Sequence, residues 1–172
     1  MAETQQEWRG KVGRMSPDQM ETFLAGGHVM RLAYLDETGH PGVVPVWYEW
    51  SEGRFWVIPR ARSAWAAHLE RDGRVGFVVD VADTLEKVIG KGTAELIETP
   101  NTGGRWVEIA TRMSVRYLGP NGPRYLEPTL GQPRWLFAIT PAEIQTWQGV
   151  AWARRYWVED TQGPSFEEAH GL

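Results

Sequence analysis

The strongest constraint on this chain is a succession of short β-branched and aromatic stretches, each closed by a glycine-ended turn. Val29–Leu35 ends in Asp36-Glu37-Thr38-Gly39, Gly42–Trp50 runs into Ser51-Glu52-Gly53, and Arg54–Ile58 returns. That punctuation predicts antiparallel hairpins. Val75–Val81 and Val88–Ile97 alternate well enough to be two further strands, and Arg134–Ile139 is another. A break at Thr140-Pro141 precedes a last strand, Ala142–Gln148. Pro45 lies inside the second strand, and proline donates nothing to a ladder, so this strand belongs at an edge or a bulge.

Helices interrupt the strands without alternating with them. Ser16-Pro17-Asp18-Gln19 places a capping hydroxyl before a proline, with Gln19 completing a capping box. Met20, Phe23 and Leu24 form the apolar face, and Gly26-Gly27 ends the helix. Ser63 caps a short helix over Ala64–Glu70, and a longer one runs from Gly104 to Leu118, where Gly119 stops it. Gly119–Pro133 holds four prolines and three glycines. This predicts a loop long enough to cover a site. Six to seven antiparallel strands with three helices make a mainly β chain with peripheral helices (α+β), a small barrel rather than a doubly wound sheet. Residues 1–15 read as an arm, 16–158 as one domain, and 159–172 as a polar tail.

Composition narrows the chemistry. With 172 residues, 42% hydrophobic and 23% charged, the chain is the size of one domain with a real core. It contains no cysteine, which removes disulfides, thiolate nucleophiles and cysteine-held metals. His28, His40, His68 and His170 show no helical metal spacing, so no metal site is expected. A net charge of −4 speaks against a nucleic-acid groove. No apolar run reaches the ~20 residues of a membrane span, and Met1-Ala2-Glu3-Thr4 does not open like a signal peptide. A cytoplasmic protein without nucleic-acid or membrane partners is the expectation. The ten tryptophans are spread along the chain; most serve as core, and some offer flat faces for a planar ligand or a second subunit.

One segment stands out as a candidate anion site. Pro59-Arg60-Ala61-Arg62-Ser63 joins a strand end to a helix start, where arginine forks and free N–H groups suit phosphate oxygens. Neither a G-x-x-x-x-G-K-[ST] nor a G-x-G-x-x-G loop is present, and no catalytic triad or opposed carboxylate pair can be placed. No catalytic side chain is therefore assigned.

The order of these elements resembles the pyridoxamine 5′-phosphate oxidase-like split β-barrels. The resemblance rests on Val43-Val44-Pro45-Val46-Trp47, the Gly53 hairpin, Pro59-Arg60-Ala61-Arg62-Ser63 and Ala67-His68-Leu69-Glu70-Arg71-Asp72-Gly73-Arg74-Val75. Gly90-Lys91-Gly92-Thr93-Ala94 and the closing Thr140-Pro141-Ala142-Glu143-Ile144-Gln145-Thr146-Trp147-Gln148-Gly149 extend it over roughly residues 16–157. It implies an FMN-binding type of split barrel, with FMN, or alternatively coenzyme F420, held at a homodimer interface. By this resemblance the main chain of Val44, Pro45, Val46 and Trp47 faces the ring, while Pro59, Arg60, Arg62 and Ser63 form the phosphate turn. Lys87 or Lys91 approaches from the partner subunit, Trp147 flanks the ring, and Arg154 or Arg155 meets substrate or cofactor. Trp65 stands where the family usually has a lysine, which removes a cation from the turn. The implied activity is hydride transfer between the bound (deaza)flavin and a small planar organic substrate. The alternative is a non-catalytic holder of flavin, F420 or haem.

Overall fold

The computed structural model describes residues 13–150, 165 and 167–168. Seven strands form one antiparallel sheet: β1 (Met30–Leu35), β2 (Pro41–Val46), β3 (Glu49–Ser51), β4 (Arg54–Val57), β5 (Arg74–Asp80), β6 (Glu86–Asn101) and β7 (Arg134–Gln148). Their spatial order is β2-β1-β5-β6-β7-β4-β3. The two ends of that order are consecutive in the chain, separated only by Trp47 and Tyr48. What reads in sequence as a single strand over Gly42–Trp50 is therefore a kinked segment. Its first half pairs with β1, Val46 opposite Met30, and its second half pairs with β4, Glu49 opposite Trp56. The kink bends the sheet back on itself and makes it a barrel. Pro45 lies on β2, paired only with β1, in the edge position its missing N–H requires.

The opposite error occurs at the other end. Thr140-Pro141 does not break the last strand; β7 runs unbroken to Gln148. The register passes from Lys91↔Glu143 to Gly92↔Pro141, so Ala142 is the extra residue of a bulge. Pro141 lies past Phe137–Ile139, the stretch paired with β4, where a lost donor costs little.

Among the described residues four helices dress the sheet: α1 (Pro17–Leu24), α2 (Ala64–Arg71), α3 (Trp106–Leu118) and α4 (Gly122–Leu126). The capping box on α1 is formed in both directions between Ser16 and Gln19. Ser63 occupies the N-cap of α2, but its side chain makes no capping hydrogen bond. The expected loop over Gly119–Pro133 instead contains α4 and a 3₁₀ turn over Glu127–Thr129. Prolines at the first turns of both are compatible with helix, which explains how a proline-rich stretch can coil. Gly119 closes α3 at φ +77°, a conformation that favours glycine. Of the N-terminal stretch, Met15 is buried and its N–H donates to Thr146 Oγ1 (3.0 Å), so this end of the arm lies on β7. No described helix is long and apolar enough to cross a membrane.

Two apolar cores result. The barrel interior holds Leu32, Tyr48, Phe55, Phe77, Phe137 and Ile139 among others. Within it, the ring of Phe55 meets those of Tyr48, Trp50 and Phe77 at 5.1, 4.6 and 4.9 Å. A second cluster outside the sheet packs Trp106, Ile109, Ala110 and Met113 of α3 and Leu126 of α4 against Trp56, Leu136 and Ala138. Between these two cores lies the candidate site.

Candidate functional site

The kink at Trp47-Tyr48 leaves backbone groups without a ladder, and α3 supplies what they need. Tyr48 is fully buried. Its N–H donates to Tyr117 Oη (3.2 Å), and its carbonyl accepts from Arg116 Nη1 (3.1 Å). The Tyr117 hydroxyl in turn donates to the His28 carbonyl (2.8 Å). Next along the strand, the buried carboxylate of Glu49 takes a two-pronged hydrogen bond from Arg112 Nε (2.9 Å) and Nη2 (2.7 Å). Arg112, Arg116 and Tyr117 thus fasten one side of α3 to the kink. Trp47 stacks on Tyr117, ring centroids 4.6 Å apart and planes 1° from parallel.

This fastening leaves a cavity of about 260 Å³ between α3 and the sheet. One wall is Val46 and Trp47 from the kink, with Trp65 from α2; the facing wall is Ala110, Met113 and Ser114 of α3 and Leu126 of α4. Val57, Ile58, Pro59 and Arg60 run along it, and Arg134 and Tyr125 complete the lining. Tyr125, 59% exposed, stands at the mouth, tilted against Trp47 at 6.2 Å. The Ser114 hydroxyl is tied to the Thr111 carbonyl at 2.7 Å, so it is not a free donor to the cavity.

Two arginines line one end. Arg60 and Arg134 are cross-strand partners in an isolated bridge. Arg60 Nη1 bonds Gln132 Oε1, and Arg134 Nη2 donates to Thr129 Oγ1 (2.7 Å) while its guanidinium lies 5.2 Å from the Trp106 ring. Arg134 Nε is buried and has no hydrogen-bond partner among the described residues. Burial, and after it the charge of Arg60, holds the Arg134 pKa below the usual guanidinium value. Among the described residues no carboxylate lines the cavity.

Of the residues singled out in sequence, the structure gathers Val46, Trp47, Pro59, Arg60 and Trp65 around this one space. Val44 packs on the barrel core, and Pro45 is exposed on β2. Arg62 is exposed on the turn before α2, and neither it nor Ser63 lines the cavity. Lys87 lies 5.7 Å from the Trp147 ring, and Lys91 pairs with Glu143 at 3.1 Å. None of these three is among the residues that line the cavity. Arg154 and Arg155 lie outside the described residues. Arg134 and the α3 wall were missed in sequence. Arg134 shows itself only as the first residue of a strand after Pro133, and the α3 residues only as a helix face that any core would want.

The residues fit a planar, anionic group: aromatic and main-chain surface along one side, apolar side chains on the other, and an unpartnered guanidinium donor at one end. The comparisons agree with this architecture. A solved structure of a conserved hypothetical protein from Mycobacterium tuberculosis superposes with a TM-score of 0.68 at 23% identity, over 90% of this chain and 96% of that one. An F420 reductase matches at TM-score 0.57 and 20% identity over 72% and 94%. HutZ, described as the haem storage protein of Vibrio cholerae, matches at 0.62 and 17% over 80% and 98%. A search of curated proteins found no match. The family model described as pyridoxamine 5′-phosphate oxidase matches residues 16–148, a span that begins at the N-cap of α1 and ends with β7. A kinked strand closing a seven-stranded split barrel, and a sequence model that covers the barrel from end to end, make this chain a member of the pyridoxamine 5′-phosphate oxidase family.

Proposed function

We propose that the chain is an oxidoreductase that holds a flavin or deazaflavin in the cavity between the kinked strand and α3, with FMN the first candidate and F420 the alternative. Its substrate is a small planar organic molecule. The observation that carries the reading is the composition of the cavity: a fixed aromatic and main-chain wall, an apolar helical wall, and cations without carboxylates at one end. When bound, the (deaza)flavin supplies the hydride chemistry. The chain's own work is to bind, orient and exclude water. Trp47, immobilised by its stack on Tyr117, presents a rigid face, while Ile58, Met113 and Leu126 keep that space apolar. Arg60 faces the anionic end.

At about 260 Å³ the space is slightly below the ~300–1,000 Å³ of ordinary small-molecule pockets. It suits a ring with its tail reaching outward, and a second copy of the chain completes the enclosure. In such a homodimer Lys87, Lys91 and Trp147 reach the ligand from the other copy. Non-catalytic storage is the second reading, favoured by one observation: among the described residues the lining offers no carboxylate or imidazole as acid or base. Haem fits less well than a flavin, because among the described lining residues Met113 and Tyr125 alone would be able to hold its iron.

The test is titration of the purified protein with FMN, F420 and haemin, following tryptophan quenching, with the mass in solution measured alongside. Saturable binding of FMN or F420 by a dimer, and oxidation of the reduced cofactor by planar acceptors, is the expected result. Binding without turnover across acceptors selects storage, and absence of flavin and F420 binding at ~100 μM, a Kd weaker than about −5.5 kcal/mol, rejects the cofactor site.

A further inference from the structure

We infer that Arg60 and Arg134 form a two-guanidinium clamp for a phosphate-type oxyanion, which places the anion between β4 and β7 rather than on the Arg62-Ser63 turn. The inference rests on the cofactor reading only for the identity of the anion's carrier. The backbone fixes the geometry. Ala61 N–H donates to the Pro133 carbonyl (2.9 Å) and Trp135 N–H to the Pro59 carbonyl (3.0 Å). These two bonds flank Arg60 and Arg134, making them a non-hydrogen-bonded antiparallel pair, the register in which opposed side chains come closest. Like charges directly opposite each other are destabilising. Yet among the described residues neither arginine makes an ion pair, and both side chains line the cavity.

The surroundings hold the pair in place without neutralising it. Trp106 and Thr129 position the Arg134 guanidinium, and Gln132 positions that of Arg60. All three partners are uncharged. Arg134 Nε, buried and unpartnered, is part of the fork through which arginine donates in parallel to two oxygens of one group. An oxyanion would satisfy that donor and cancel the repulsion together. Phosphate matches best, because a charge of −1.5 to −2 near neutral pH balances two guanidiniums and three terminal oxygens serve both forks. Arg62, by contrast, is exposed and lies off the cavity.

The experiment compares FMN with riboflavin, and F420 with its tail-less deazaflavin, on the intact chain. Fluorescence titration should show the wild type binding the phosphorylated member at least tenfold more tightly. Arg134→Gln and Arg60→Gln should each bring that ratio to within about threefold of unity while leaving the affinity for the tail-less ring within threefold. Arg62→Gln should keep the ratio. A ratio that survives Arg134→Gln and Arg60→Gln, or that collapses in Arg62→Gln, overturns the clamp while leaving the cofactor reading standing. Should neither ring bind the wild type, the cofactor reading fails, and the clamp is judged with inorganic phosphate. A rise in melting temperature with millimolar phosphate that Arg60→Gln abolishes supports it, and no rise in the wild type refutes it. Arg60→Gln also serves if Arg134→Gln, which strips a partner from Trp106 and Thr129, does not fold.

Discussion

Tyr117→Phe is the substitution that best isolates the kink. It keeps the ring that stacks on Trp47 and removes only the hydroxyl that accepts from Tyr48 N–H at 3.2 Å and donates to the His28 carbonyl at 2.8 Å. Tyr48 is fully buried, and its N–H lies between β2 and β3, where no strand can pair with it. Leaving a buried donor without a partner costs about 1–3 kcal/mol. The His28 carbonyl belongs to a half-buried residue, so water recovers much of its loss. The net expectation is about 2 kcal/mol of lost stability, or roughly 4–8 °C in Tm for a domain of this size. Equilibrium urea unfolding measures it, with an unchanged m-value showing that the same surface is exposed. Flavin or F420 affinity should fall too, because the relaxed kink no longer holds Trp47 against the cavity. A loss below ~0.5 kcal/mol, the scatter of ordinary surface substitutions, would show that the Tyr48 N–H finds another partner and that α3 does not secure the kink.

Three further outcomes are expected. Phe55→Ala, at a side chain with no exposure that meets three other rings, should cost about 3–5 kcal/mol by chemical denaturation. In Gly122→Ala the new methyl would lie 2.0 Å from the Ser114 carbonyl oxygen. It should push α4 off α3, cost about 1–3 kcal/mol, and widen the cavity that Leu126 and Tyr125 line, read as weaker ring binding. The hydrogen bonds from Arg74 hold the Asp72 carboxyl down to about 2, against 3.8 for the free group. Because the folded value is the lower one, the stabilisation from this pair is complete above the unfolded value and disappears as pH falls toward 2. An NMR titration of the Asp72 carboxyl carbon should show the low midpoint, and Arg74→Ala should return it toward 3.8.

Sequence patterning carried most of the architecture because strands and caps are local devices. The Ser16–Gln19 box needs only residues three apart, and the hairpins around Gly39 and Gly53 need only their own turns. The strand total of seven also agrees, but through two opposite misreadings. Gly42–Trp50 counts once in sequence and twice in space, while Arg134–Gln148 counts twice in sequence and once in space. Only the second of these misreadings comes from proline. Pro141 looks like a break and is absorbed by the bulge at Ala142, while Pro45 marks the edge strand that kinks two residues later, at Trp47 and Tyr48. Nothing in Val46-Trp47-Tyr48-Glu49 announces a bend, because the groups that permit it, Arg112, Arg116 and Tyr117, lie more than sixty residues away.

The same distance explains why half of the site was invisible. Arg60 was legible because it sits beside a helix start, a local signal for anions. Arg134 carries no such signal, and its meaning comes entirely from the register that sets it opposite Arg60. That register depends on β4 ending where β7 begins, with Pro59 and Pro133 immediately before the two arginines. Each proline's carbonyl accepts the bond that flanks the pair, from Trp135 and Ala61 respectively. Neither proline can return the second bond of its pair, to the Trp135 and Ala61 carbonyls respectively, which is why the bridge stays isolated and does not extend into a ladder. The isolated bridge is thus held by two acceptors that are proline carbonyls and two donors one residue beyond the arginines. This short, rigid link brings two like charges face to face at the end of an apolar cavity. Stability alone would favour separating them or placing an acid between them. The chain does neither, so the energy cost of their meeting is understandable as preorganisation for an anion that arrives with the ligand.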